Sequence, residues 1–410
     1  MTRLRTLFYT VISIFIAGAG TSVAKTFSLR ECVDSALVAN PSVTAAALMA
    51  EKARLMKGTA FNPPMTEILL KQETTGGGGP ENGVAFSQDF DFPTVYTSRY
   101  RSLSALADLE TARFNLVAKE VEREVTGTFY SALYYKRLMV LNRELDAVYE
   151  DFLNVARARF EAGECSRLEV LNAERVRSQN DMEHSRLALQ LEGSLADLCR
   201  LTSCDVTGVE TSGGFGPYLK DLPVTDPSFE ETVRARVSEY EVKAAEKEVG
   251  VARNEFMPGL KVGATVQALI RGFNPYNVER ERFRPGNFMG FEVGVTVPLF
   301  FGAPMSRLKA ARAELRATEL KSEAARSEET AELEKLRSSL RERRIKMDYY
   351  NETAVPKAEE IKRLAIVSYQ LGEIDYLEYM ANIETVFSVL REEADCINEY
   401  NLEAISYSIR

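Results

Sequence analysis

The sequence predicts a mostly α-helical fold with a small membrane β-barrel portion, in which long antiparallel coiled-coil hairpins form an α-barrel tunnel. Three observations predict this fold. The same succession of motifs occurs twice, two long stretches contain almost no helix breakers, and short segments near them alternate apolar with polar residues. We therefore expect each copy of the chain to contribute long helices and four strands.

Composition indicates a folded protein. The 410 residues are 45% apolar and 27% charged, too mixed for wholesale disorder, and the net charge of −9 argues against a nucleic-acid partner. Five cysteines are too few and too scattered for a disulfide scaffold. Cys199 and Cys204 either pair in an oxidising compartment or are two small hydrophobic residues at a helix end.

Residues 1–24 have the pattern of a secretory signal peptide. Arg3 and Arg5 precede an apolar run from Leu7 to Ala19, which small residues follow. The run is short of the roughly 20 residues that a spanning helix needs, so a retained anchor is the weaker alternative. No later apolar run is long enough, which argues against a helical membrane protein, and Cys32 lies outside any lipidation motif.

Internal repetition divides the mature chain into two halves. "AEK" followed by "FNP" in the first half is answered by "AEK" followed by "FMP" in the second, and "RFEAGE" is answered by "SYQLGE". We predict a first structural repeat at 25–210, an inter-repeat linker rich in Gly and Pro at 211–227, and a second repeat at 228–410.

Each repeat reads as a helix, two strands and a helical hairpin. Ser28 with Glu31, and Ser228 with Glu231, form S-x-x-E capping boxes that predict the start of the first helix. The long helices are expected at Thr94–Glu161 and Met305–Leu371. Pro356 should kink or interrupt the second of them.

A narrow apolar stripe is typical of coiled-coil packing. In the second long helix it comprises Ala331, Leu333, Leu336 and Leu340, among many charged residues. The alternative is an ordinary solvated helix. The recurrence of a long helix at the matching position of both repeats favours the coiled coil.

The strand segments alternate in a way that suits lipid on one side. Phe86, Phe90 and Phe92 share one face of "VAFSQDFDF", and Phe291, Val293, Val295 and Val297 share one face of "FMGFEVGVTVPLF". Their partners are "PMTEILLKQE", whose alternation is poor, and "GLKVGATVQAL". A half-buried hairpin of a soluble sheet alternates too. Export, carboxylates on the polar faces and Gly-rich polar connections favour transmembrane strands.

Four strands cannot close a barrel by themselves. The smallest spanning barrels have eight strands, and an open edge in lipid leaves backbone groups unpaired. The chain must therefore oligomerise. Two copies would give eight strands with a filled interior, and three copies would give twelve strands with room for a lumen.

Taken together, these motifs resemble the outer-membrane efflux protein family, the TolC-like exit ducts of tripartite pumps and type I secretion systems. The resemblance covers the mature chain through "SLRECVDSALVANPSVTAA", "GVTVPLF" with "KAARAEL", "ARARFEAGECSRLEVLNAE" and "SYQLGEIDYLEYMANIE". It implies a homotrimer with a twelve-stranded barrel in the outer membrane of a Gram-negative-type cell. It also implies a periplasmic helical tunnel, a periplasmic adaptor (membrane fusion) protein, an inner-membrane transporter and passive conduction of substrates to the exterior.

The resemblance also implies roles for particular residues. The two Gly-containing turns become helix-hairpin tips that contact the adaptor, with Gly163, Glu164, Ser166, Gly372, Glu373 and Asp375. Glu378 falls on an acidic position that lines the periplasmic entrance, with Glu169 as a further candidate. The family's second acid falls on Ala381, which leaves a double gate in doubt. From the residues alone, both glycines suit either a tight reversal or a plain helix C-cap.

No enzyme motif, cofactor site or metal-ligand cluster is recognisable, and the chain has one histidine, His184. The alternative function is a periplasmic coiled-coil scaffold or interaction protein without a membrane barrel. The transported substrate cannot be chosen from the sequence, because an inner-membrane partner selects the cargo.

Overall fold

A computed structural model describes residues 26–74, 80–210, 214–220, 229, 232–269 and 287–410. The predicted signal peptide at 1–24 lies outside these residues. So does much of the predicted linker at 211–227.

The first half follows the predicted order of helix, two strands, long helix, turn and long helix. Two helices replace the single one expected at its start, because Pro41 begins a new helix. Its elements are β1 (Thr26–Phe27), α1 (Leu29–Ala39), α2 (Pro41–Met56), β2 (Glu67–Thr74), β3 (Pro80–Asp91), α3 (Pro93–Glu161), α4 (Arg167–Thr202) and β4 (Gly208–Val209).

The second half repeats that order. Its elements are α5 (Val233–Asn254), β5 (Gly259–Leu269), β6 (Asn287–Thr296), α6 (Gly302–Tyr349), a π-helical stretch (Tyr350–Ala354), α7 (Val355–Gln370) and α8 (Tyr376–Ser408). The predicted mostly helical fold with few strands is confirmed. The parallel pairing of β1 with β4 was not predicted.

Helix starts were predicted correctly in one half and wrongly in the other. The Ser28 hydroxyl accepts from the Glu31 N–H at 3.3 Å, and the Glu31 carboxylate accepts from the Ser28 N–H at 2.9 Å, so the first capping box is formed. In the second half α5 begins at Val233 instead. Thr232 is its N-cap and accepts from the Ala235 N–H at 3.1 Å. The predicted cap residues Ser228 and Glu231 lie outside the described residues.

The chain forms two compact units that do not coincide with the two sequence halves. What we call the hairpin unit contains the described residues of Met1–Asn40, Glu120–Leu222 and Leu336–Ile409. The sheet unit contains those of Pro41–Lys119, Pro223–Lys335 and Arg410. Each unit takes elements from both repeats, because the long helices α3 and α6 contribute residues to both.

The hairpin unit has a core of helix seams. Apolar residues of α3 recur three or four positions apart and meet residues of α4 and α8, which is the spacing of coiled-coil packing. The members of this core include Leu138, Leu141, Leu145, Phe152, Ala156, Val170, Ala173, Leu187, Met380, Ile383 and Phe387.

The predicted stripe on the second long helix is confirmed in part. Leu333 and Leu340 are buried, and Met347 continues them at the same seven-residue interval. Leu336 is half-buried. Ala331 is exposed, because it falls outside this heptad seam.

The second long helix is interrupted as predicted. The Val355 N–H donates to the Tyr350 carbonyl, five residues back, and Pro356 follows directly. Proline has no N–H for the α-helical bond to the residue four positions earlier, so the chain takes a π-helical turn at this point.

The sheet unit contains a four-stranded antiparallel sheet in the order β2-β3-β5-β6. Phe86 lies opposite Ile68 on one side and Ala264 on the other, and Ala264 lies opposite Phe291. This register puts the apolar residues of all four strands on one face, which we call the apolar face. β2 joins it through Ile68 and Leu70. Its alternation looked poor only because Leu69 lies on the other face.

The predicted lipid-facing residues differ in exposure. Phe291 and Val293 are 78% and 80% exposed, and Phe86 is 49% exposed. Phe90 and Phe92 are half-buried. Two of the predicted residues, Phe92 and Val297, come just after the ends of β3 and β6. The only polar residue of β3 on the apolar face, among the described side chains, is Gln88, whose amide donates to the Pro64 carbonyl at 2.7 Å.

The edges of this sheet are open. Within the described chain, β2 pairs only with β3 and β6 pairs only with β5, so each leaves one row of backbone groups without a strand partner. Among the residues described here, no single helix is long and apolar enough to cross a membrane. The bent pair formed by Leu29–Ala39 and Pro41–Ala60 passes that test together, by length and composition only.

All five cysteines are free thiols, so the pairing of Cys199 with Cys204 does not occur in this structure. The Cys199 sulfur instead accepts from the Val206 N–H at 3.2 Å. Cys199, near the end of α4, thus accepts a hydrogen bond from the backbone of the segment that leads to β4.

Candidate functional site

The first hairpin tip joins α3 to α4 through Gly163. Its φ is +74°, in the left-handed region. The Gly163 N–H donates to the Phe160 carbonyl at 3.0 Å, and the Glu164 N–H donates to the Arg159 carbonyl at 2.8 Å. These two bonds are the Schellman arrangement, which closes a helix when the residue after its last turn is left-handed.

The second tip, between α7 and α8, has the same geometry. Gly372 has a φ of +73°, its N–H donates to the Tyr369 carbonyl at 3.1 Å, and the Glu373 N–H donates to the Ser368 carbonyl at 2.8 Å. A Cβ at either glycine would meet nothing within 4 Å. Both glycines are therefore required by backbone conformation and not by lack of space.

The returning helices begin with caps of different strength. Asp375 is the N-cap of α8 and accepts from the Glu378 N–H at 2.8 Å. Ser166 is the N-cap of α4, but its hydroxyl makes no capping bond, and its carbonyl accepts from the Glu169 N–H at 3.1 Å. The second hairpin therefore restarts from the firmer cap.

The charges at the two tips differ as well. Glu169 lies 3.6 Å from the Arg159 guanidinium, so part of its charge is balanced within the first tip. Glu373 accepts from the Ser368 hydroxyl at 2.9 Å. Glu378 is exposed, and the described residues place no ion-pair partner within reach of it. Of the two predicted entrance residues, Glu378 is thus the one with a free carboxylate.

An aromatic cluster supports the second tip, and the sequence analysis did not single it out. The Tyr376 ring stacks on Phe152 at 4.1 Å, and Tyr369 stacks on Tyr379 at 4.9 Å. Burial raises the pKa of Tyr376 above its usual value. Because Phe152 belongs to α3, this cluster ties the second hairpin to the first. The recurrence of Tyr at 369, 376 and 379 was the available signal.

The sequence analysis gave no role to two leucines at equivalent positions of the tips. Leu168 and Leu377 are 66% and 65% exposed, each one residue into its returning helix. Because both are exposed and apolar and occupy matched places in the two repeats, they are candidates for a contact surface. The repeat alignment of the two turns pairs them, but it does not show that they are exposed.

The polar face of the sheet is the second candidate surface. Glu67, Ser87, Gly263 and Glu292 lie opposite one another across all four strands. The Ser87 hydroxyl donates to the Glu67 carboxylate at 3.1 Å. Lys71 and Lys261 lie in other rows of this face. Among the described residues, no cation forms an ion pair with Glu67 or Glu292.

These features define a class: a protein whose small sheet has one apolar face and open edges, and whose strands lead into long helical hairpins with paired tips. Residues 235–404 match the model of the family described as "Outer membrane efflux protein". Over these residues, which are less than half of the chain, the match agrees with the resemblance found in the sequence. That family is one of outer-membrane efflux channels and not of enzymes.

Solved structures share the fold over almost the whole chain. The Campylobacter jejuni CmeC outer membrane channel is 14% identical with a TM-score of 0.76, covering 93% of this chain and 84% of that one. The Neisseria gonorrhoeae MtrE outer membrane channel, in its open state, is 16% identical with a TM-score of 0.69, covering 93% and 88%. The Vibrio cholerae outer membrane protein VceC is 14% identical with a TM-score of 0.72, covering 92% and 94%. No curated protein matches the chain in sequence.

Proposed function

We propose that this protein is the exit duct of a tripartite efflux or export system, and that it conducts substrates passively from the periplasm or an inner-membrane pump to the exterior. The observation that carries the proposal is the four-stranded sheet with one apolar face and two open edges. A sheet of this kind is completed only by further strands, and its apolar face suits lipid.

Three copies supply the strands that one copy lacks. Pairing β2 of one copy with β6 of the next would close a twelve-stranded barrel, which has room for a lumen. Eight strands from two copies would leave an interior filled by side chains. The long hairpins would then surround the same axis as a helical tunnel in the periplasm. We therefore propose a homotrimer in which the two repeats of each copy give six similar hairpins.

The two tips are the proposed contacts for a periplasmic adaptor. Gly163 and Gly372 have matched geometry, and Leu168 and Leu377 expose matched apolar surface beside them. Neighbouring polar residues complete the surface, namely Glu164, Ser166, Glu373 and Asp375. An adaptor with a repeated motif would meet similar surfaces around the ring.

Glu378 is the proposed carboxylate of the periplasmic entrance. It is exposed and free of ion pairs among the described residues, so a trimer would present three such charges. Glu169 is a weaker candidate, because Arg159 balances part of its charge. Ala381 adds no second acidic ring.

The test is the mass of the detergent-extracted protein from purified outer membranes, measured by light scattering. We expect the mass of three chains and resistance to extraction from the membrane by salt or alkali. Recovery as a monomer or dimer from the soluble periplasmic fraction would contradict the proposal. It would favour the alternative, a coiled-coil scaffold without a barrel.

A further inference from the structure

The polar face of the sheet carries an uneven distribution of charge. In the row nearest the long helix α3, Asp91 is paired with Arg99 at 2.7 Å. In the next row that carries charge, Asp89 lies directly opposite Lys261. Each of these rows therefore contains one carboxylate and one nearby cation.

The following row is different. Glu67 and Glu292 stand at its two ends, on β2 and β6, with Ser87 and Gly263 between them. Both carboxylates are exposed, and neither forms an ion pair with any described residue. The nearest cation on this face is Lys261, which lies one row away, opposite Asp89. Lys71 is four residues farther along β2, about 13 Å away at the usual rise per residue.

Ser87 and Gly263, the two middle residues of this row, are small, so they leave space for the carboxylates above the strands. A Cβ at Gly263 would come within 3.4 Å of the Glu292 Cβ and 3.6 Å of its Oε2, so the Glu292 side chain lies over the glycine. From the other end, Glu67 reaches Ser87, whose hydroxyl donates to it. Both carboxylates are thus directed along the row toward the middle of the sheet.

We propose that Glu67 and Glu292 form an acidic ring inside the barrel and make the duct prefer cations, independently of the carboxylate at the periplasmic entrance. The inference rests on the proposed trimeric barrel, where this row contributes two carboxylates from each copy. Rings of carboxylates of this kind favour cation passage in channels. Glu378 belongs to the hairpin tips and is a separate determinant.

The expected preference depends on salt. Twelve strands about 4.8 Å apart and tilted by about 40° give a backbone radius of about 12 Å, which inward side chains narrow further. The screening length is about 10 Å at 0.1 M salt and about 3 Å at 1 M. The ring should therefore act across the lumen at 0.1 M and lose its influence at 1 M.

The experiment is the reversal potential of the purified trimer in a planar bilayer under a KCl gradient centred near 0.1 M. We expect the wild-type duct to favour potassium over chloride. In the double variant Glu67→Gln with Glu292→Gln, the permeability ratio should lose most of its excess over one, because the ring is lost while the shape of the side chains is kept. At 1 M KCl the wild-type protein and the double variant should have the same permeability ratio.

Two matched variants separate this ring from other charges. Asp89→Asn with Lys261→Gln removes one charge of each sign from the neighbouring row and should leave the permeability ratio at the wild-type value. Glu378→Gln changes the entrance only and should leave most of the preference intact. Light scattering on each variant checks that the trimer has assembled.

The outcomes distinguish the inference from the function on which it rests. A wild-type duct without cation preference at 0.1 M overturns the inference, as does an unchanged ratio in the Glu67 and Glu292 double variant. Loss of the preference in Glu378→Gln alone also overturns it. A trimer that passes no current contradicts the proposed duct itself.

Discussion

The two tip glycines hold conformations that other residues adopt at a cost. Gly163→Ala and Gly372→Ala should each destabilise the protein by about 1 kcal/mol, because each φ is near +73° and space is not the constraint. Gly193, inside α4 with nothing near its missing Cβ, is the matched control, and Gly193→Ala should stabilise by roughly 0.5–1 kcal/mol. Melting temperatures of the detergent-solubilised protein check both. A similar shift for all three variants would show that left-handed geometry is not what the tips require.

Buried and hydrogen-bonded tyrosines should make the hairpin unit sensitive to alkali. Burial, followed by donation to the Glu392 carboxylate, raises the pKa of Tyr350 to about 12. Burial also raises the pKa of Tyr134 and Tyr149 above the usual value. The unfolded chain loses these protons near pH 10, where the folded chain keeps them. The stabilisation is thus complete below pH 10 and is lost as the pH rises toward 12.

Thermal unfolding measured from pH 9 to pH 12 checks this expectation. The melting temperature of the wild-type protein should fall steadily above pH 10. The melting temperature of Tyr350→Phe should fall less steeply, because one titrating group has been removed. An equal slope for the two proteins would show that Tyr350 does not contribute. Tyr100→Phe, at an exposed residue of α3, is the control that should keep the wild-type slope.

At the scale of single elements, a polar pair is buried between α3 and α4. Asn142 and Asn180 are 1% and 6% exposed. The Asn142 amide donates to the Asn180 side-chain oxygen at 2.7 Å, and the His184 Nδ1 lies 3.2 Å from the Asn142 side-chain oxygen. A buried amide pair in a coiled coil costs stability but fixes the register of the helices.

This pair predicts a non-additive double-mutant cycle. Asn142→Leu should destabilise by about 1–3 kcal/mol, since it leaves the Asn180 amide buried with fewer partners. Asn142→Leu with Asn180→Leu should recover part of that loss, because neither side then buries an unsatisfied amide. Melting temperatures of the two single variants and the double variant test the cycle. Simple additivity would mean that the two amides act independently.

Much at this scale was predictable because local chemistry decides it. Ser28 with Glu31 marked a helix start, Gly163 and Gly372 marked the turns, and Pro356 marked the interruption. The rest depended on tertiary context. Thr232 caps α5 although nothing in its spacing distinguished it from Ser228. The β1–β4 pair joins distant segments of two residues each, which are too short to carry a periodic signal.

The candidate site shows the same division. The two turns could be predicted because the sequence repeats there, whereas the role proposed for Glu378 came from the resemblance and stays a prediction. The row of Glu67, Ser87, Gly263 and Glu292 could not be found, because alternation assigns a residue to a face but does not give the register between strands. Only the paired strands showed which carboxylates share a level.

For the whole molecule, the decisive question is whether lipid or water contacts the apolar face of the sheet. Val293→Lys places a charge at an 80% exposed position of that face. In lipid such a change costs about 2–4 kcal/mol near the bilayer midplane, whereas the polar face tolerates it. We therefore expect Val293→Lys to lower the amount of trimer in the outer membrane. Thr265→Lys, on the polar face of the central strand β5, should leave that amount close to wild type.

Membrane fractionation followed by light scattering measures both variants. Equal recovery of the two proteins in the outer membrane would contradict a lipid-facing role for Val293. The comparison needs no knowledge of the cargo or the adaptor. It also separates the barrel from a soluble sheet, which would tolerate a lysine at either exposed position.

The open edges of β2 and β6 have a consequence for biogenesis. A single copy in transit through the periplasm carries unpaired strand edges beside an apolar face, and such edges are templates for unwanted pairing with other chains. Chains that meet in the wrong order or number would aggregate. If the proposed trimer forms, the lifetime of the single copy would limit the yield of assembled trimers. Slow synthesis or a chaperone that binds single copies would then raise that yield.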